Sequence, residues 1–89
     1  MASDVVVIYE AVNQTLKEIY VGMSDKPTTP NDLARQHALS LPLPINHWEP
    51  DHNISYRLVE TGLPLQDARD FIHAYAVEIS NVGWRVVTD

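Results

Sequence analysis

The chain opens its apolar pattern with an unbroken β-branched run, Val5-Val6-Val7-Ile8-Tyr9. It is too short for a helix and does not alternate, which predicts a strand buried on both faces. A polar break at Asn13-Gln14-Thr15 separates it from Ile19-Tyr20-Val21-Gly22. That second run also predicts a strand, and a hairpin is the shortest connection between the two. Residues Gly22 to Pro27 then read as a loop. Thr28-Thr29-Pro30-Asn31-Asp32 carries the signals of a helix start. Thr29 suits the N-cap, Pro30 the first helical position and Asp32 the positive end of the helix dipole. The helix would run through Leu39 and stop before Leu41-Pro42-Leu43-Pro44, because closely spaced prolines cannot continue it.

Residues 42–53 form the longest stretch without periodicity. Beyond it, Ile54-Ser55-Tyr56-Arg57-Leu58-Val59 alternates and predicts a third strand, which Gly62-Leu63-Pro64 punctuates. A second helix is expected from about Pro64 to Asn81. At about 100° per residue, with Phe71 at zero, Val82, Tyr75, Ala68, Ile79 and Ile72 fall between about 20° and about 100°. They make one apolar arc. Glu78 falls about 20° to its other side, at the margin and almost eclipsing Phe71. Gly83 suits a C′ position, and Trp84-Arg85-Val86-Val87 reads as a short closing strand. The order β-β-α-β-α-β predicts one α+β domain over 1–89, a small, mostly antiparallel sheet flanked by helices.

Charge narrows the function classes. Asp and Glu number 12 against 6 Lys and Arg, a formal charge of −6. A broad electrostatic grip on nucleic acid needs many cations neutralising phosphates, so this balance argues against it. There are no cysteines, which excludes disulfide staples, cysteine zinc fingers and thiol nucleophiles. An apolar fraction of 45% with two Trp, four Tyr and one Phe is that of a folded domain rather than a disordered chain. No long apolar stretch or basic leader stands at Met1-Ala2-Ser3-Asp4, and the expectation is a cytoplasmic chain with no membrane partner.

Two groups of residues carry candidate chemistry. The first is the hairpin with the two helices. Val7-Ile8-Tyr9, Asn13 and Tyr20-Val21-Gly22, with Tyr9 and Tyr20 eleven apart, resemble the signature of the GIY-YIG nuclease family. Arg35 and His37 on the first helix and Glu78 on the last resemble the Arg, His and Glu that follow in that family, and the element order is similar too. The resemblance implies a GIY-YIG-like fold and a metal-dependent phosphodiesterase acting on nucleic acid. It makes Tyr9 and Tyr20 the active-site hydroxyls, Arg35 the phosphate clamp and His37 an auxiliary acid or base. Glu78 becomes the ligand of a divalent metal, Mg²⁺ or Mn²⁺, which polarises a phosphate oxygen. Gly22 would admit a phosphate close to the backbone and Arg57 would add substrate-binding charge.

The sequence differs from that pattern in places. Val7 stands where the family has Gly, no Asn follows the last helix, and the Tyr20-to-Arg35 gap is longer. Arg35 and His37, two apart on one helix, point about 200° away from each other. These differences support an alternative, a catalytically silent GIY-YIG-like module that binds a protein partner. A third reading is an unrelated α+β fold that scatters these residues over different faces. The second group is the loop Asn46-His47-Trp48-Glu49-Pro50-Asp51-His52, whose imidazoles and carboxylates are ligand types for Zn²⁺ or Mn²⁺.

Overall fold

The computed structural model describes residues 5–81 and 83–88. Val82 of the predicted arc and Met1 to Asp4 lie outside the described residues. Strands β1 (Val5–Asn13) and β2 (Glu18–Ser24) form the hairpin. Helix α1 (Pro30–Leu39), a 3₁₀ turn at Leu43–Ile45, β3 (Ile54–Pro64), α2 (Leu65–Ser80) and β4 (Arg85–Thr88) follow. The four strands make one sheet in the order β3-β1-β2-β4. β1 pairs antiparallel with both β2 and β3, while β4 lies parallel to β2. The predicted α+β class therefore stands, with one parallel pair at an edge.

Both strands flanking the hairpin turn extend beyond the apolar runs. β1 continues to Asn13 because Glu10 and Asn13 are buried and find side-chain partners. The turn itself is closed by Lys17, whose φ of 56° is left-handed. β3 continues through Gly62, which absorbs a φ of 74° before Pro64. A register shift around Ile8 in the β1–β3 ladder marks the same irregularity.

Alternation in β1 splits the core into two layers. Tyr9 and Ala11 face α1 and pack with Tyr20, Leu33, Ile45 and Trp48. Val6 and Ile8 face α2 and pack with Ile19, Val21 and Ala68, backed by Phe71, Ile72, Tyr75 and Ile79. The sheet is thus covered by α1 and the 42–53 segment on one side and by α2 on the other. That is why Val6 to Ala11 are all buried, as the unbroken run predicted for Val6 to Tyr9, whereas its first residue, Val5, is exposed at the strand end. Thr29 caps α1, its Oγ1 accepting the Asp32 N–H at 3.2 Å.

The long 42–53 stretch is pinned to the hairpin. The Glu18 carboxylate accepts from the Trp48 indole at 2.8 Å and from His47 Nε2 at 2.7 Å. Asn13 donates to His52 Nδ1 at 3.0 Å, and its Oδ1 accepts the Leu16 N–H at 3.0 Å. Gln14 and Asn53 share a backbone hydrogen bond at 2.9 Å. These bonds seat Ile45 and Trp48 in the core although no periodic element carries them. Burial raises the Glu18 carboxyl, but the Trp48 and His47 hydrogen bonds and the charges of His47 and Arg85 outweigh it. The group ends below its ordinary 4.5.

Candidate functional site

Register explains the tyrosine pair. Tyr9 lies opposite Gly22, and Tyr20 opposite Ala11, so the two tyrosines are diagonal neighbours on the α1 face. Their rings meet edge-on with centroids 6.0 Å apart. Gly22 leaves room for the Tyr20 ring to fold back over its own strand. A Cβ added at Gly22 would stand 2.7 Å from the Tyr20 ring. The glycine is therefore occupied on this face by packing and is buried.

α1 brings His37 down onto this pair. Leu33 and His37, four apart, form the buried face of the helix. The His37 imidazole lies 5.8 Å from the Tyr9 ring, 6.4 Å from Tyr20 and 5.1 Å from Tyr56, centroid to centroid. Its Nε2 is 3.3 Å from the Tyr9 hydroxyl. Nδ1 is buried without a hydrogen-bond partner among the described residues. Burial holds His37 below its ordinary 6.5, so the ring is neutral at neutral pH. The same burial pushes the Tyr56 hydroxyl up.

The remaining predicted residues lie elsewhere. Arg35, about 200° around the helix from His37, is 77% exposed at its side chain and pairs with Asp32 at 3.0 Å. Glu78 is exposed on α2, the helix that covers the opposite face of the sheet. Arg57 also belongs to the α2 side. Its Nε donates to the buried Glu10 carboxylate at 3.1 Å and its Nη2 donates to the same oxygen. The Tyr75 hydroxyl completes this cluster at 2.5 Å from Glu10. Burial, followed by the Glu10 hydrogen bond and charge, raises the Tyr75 hydroxyl and keeps it protonated. Tyr9, Tyr20 and His37 come together; Arg35, Arg57 and Glu78 do not join them.

Beside His37 the surface opens into a cleft of about 400 Å³ between α1 and the segment entering β3. Its walls include Trp48, Glu49, His52, Ile54 and Tyr56. His47 and His52, candidate metal ligands in the sequence, are engaged with Glu18 and Asn13. Among the described residues no group of three or more His, Asp or Glu side chains is placed to hold a metal ion. Nor is any helix there long and apolar enough to cross a membrane. Tyr56 and Ile54 escaped the sequence reading because alternation predicts only that they face one layer. Whether that layer is closed or cleft is decided by how far α1 extends over β3.

Comparison with family models, with curated proteins and with solved structures finds no match for this chain.

Proposed function

We propose that this domain is a GIY-YIG-like binding module whose receiving surface is the cleft beside His37. The observation that carries this reading is the union of a buried aromatic-imidazole cluster with an open, aromatic-walled cleft. Pockets that bind small groups combine apolar walls with placed polar atoms, and here Leu41, Trp48 and Ile54 stand beside His37 and His52. The charged residues that phosphodiester chemistry calls for are engaged or exposed away from the cluster. A lone exposed carboxylate such as Glu78 offers a metal one ligand, and Arg35 already faces Asp32.

The second reading is the metal-dependent phosphodiesterase, favoured by the convergence of Tyr9, Tyr20 and His37 on one face. Incubation with branched, flapped and single-stranded DNA and RNA, with Mg²⁺ or Mn²⁺, separates the two. The binding reading expects equal, negligible cleavage by the wild type and by Glu78→Ala. Cleavage that needs Glu78 restores the enzyme and removes the module.

A further inference from the structure

We infer that the cleft between α1 and the 48–56 segment binds a small, non-anionic heteroaromatic ring, recognised at its polar edge by His37. This deepens the binding-module reading and rests on it. Three observations define the ligand class. The volume, about 400 Å³, is at the small end of the range of roughly 300–1,000 Å³ for ligand pockets, room for one ring system rather than a chain. Trp48, Tyr56 and His37 are among its lining residues, and aromatic walls favour a planar ring over an aliphatic one. Among the described residues no Lys or Arg lines the cleft, Glu49 does, and the whole chain carries −6. Its field therefore repels an anion.

His37 supplies the specificity. It is more than nine-tenths buried, lines the cleft and keeps one ring nitrogen, Nδ1, without a hydrogen bond. An unmet buried polar atom is destabilising. A ligand that supplies the missing partner recovers part of that cost. The Tyr9 hydroxyl lets the imidazole serve either kind of edge. When Tyr9 donates to Nε2, Nδ1 carries the proton and donates. When Nε2 donates to Tyr9, Nδ1 accepts. Tyr56 packs edge-on against the imidazole, is only half-buried and lines the same cleft, so a ligand edge reaches the buried Nδ1 where this contact yields. His52 Nδ1 accepts from Asn13 and from the Glu49 N–H, which leaves its proton on Nε2 as a second donor in the wall.

The test is an NMR titration of the full chain at pH 7.5 with benzimidazole, adenine, cyclohexanol and inorganic phosphate. The two heteroaromatics are expected to shift the His37, Tyr56 and Trp48 signals saturably. His37→Phe keeps the ring shape without nitrogens and should weaken them about tenfold, the equivalent of one hydrogen bond. Ala34→Phe fills the cleft from an exposed helix position and should abolish binding with the fold intact, so the outcome does not depend on His37→Phe folding. Cyclohexanol binding as tightly as benzimidazole, or phosphate binding best, overturns the ligand class while the binding module stands. Saturation by none of the four overturns the inference. If Glu78-dependent cleavage also appears, the module reading falls with it.

Discussion

Replacing Gly22 by alanine isolates the contact that shapes the tyrosine pair. In a strand, alanine ordinarily improves on glycine by roughly 0.5–1 kcal/mol, because glycine loses more backbone freedom on folding. Here the added Cβ meets three atoms of the Tyr20 side chain at 2.7–2.9 Å, and its backbone carries no left-handed strain. Those atoms are the far end of the ring, which could retreat cheaply on a surface. Tyr20 is 1% exposed, however, and its ring abuts Tyr9 and His37, so retreat disturbs the core. Overpacking of this kind costs about 1–3 kcal/mol. The two effects leave a net loss of up to about 2.5 kcal/mol, a fall in Tm of up to about 20 °C for a domain this size. Urea denaturation of four proteins decides it: wild type, Gly22→Ala, Tyr20→Leu and the double variant. With the ring gone, Gly22→Ala should become neutral or stabilising. A loss of the same size in both backgrounds would refute the steric account.

The other expectations concern charge and protonation. His37 sits below its ordinary 6.5 because burial disfavours the cation, so the unfolded chain binds more protons. Stability should be full above about pH 6.5, fall as pH drops toward the lower folded value, and lose this slope in His37→Phe, read by urea midpoints. Glu18 is likewise lowered, so its contribution is present above 4.5 and lost as pH falls through the lower folded value. Trp48→Phe removes one indole donor and should shrink that acid-side loss. Arg57→Ala leaves the buried Glu10 carboxylate with fewer donors and should cost about 1–3 kcal/mol in chemical denaturation. Arg35→Ala breaks only an exposed pair and should change stability by less than about 0.5 kcal/mol; an equal loss for the two arginines would contradict their assigned environments.

Local chemistry determined the elements. The unbroken run at Val5 to Tyr9, the Thr29-Pro30 helix start and the arc through Phe71 and Tyr75 each act over a few residues, and each stands in the fold. The strand ends were less legible. Glu10 and Asn13 read as polar positions, and partners distant in sequence, among them Arg57 at 47 residues and His52 at 39, make them tolerable inside the protein. The same holds for the 42–53 segment. Its lack of period is visible in the sequence, but its attachment through Glu18, His47 and Trp48 is a tertiary fact.

The candidate site divides along the same line. Spacing alone allowed Tyr9 and Tyr20 to share a face once the hairpin formed, and helical geometry alone separated Arg35 from His37. What the sequence could not order is the sheet's two sides. α1 covers one and α2 the other, so His37 joins the tyrosines while Glu78 and Arg57 are carried to the far layer. A residue's face within its own element follows from the period of that element. The side of the sheet on which the element docks follows from chain connections and burial summed over the whole domain, and it is this choice that gathered an imidazole, three tyrosines and a cleft.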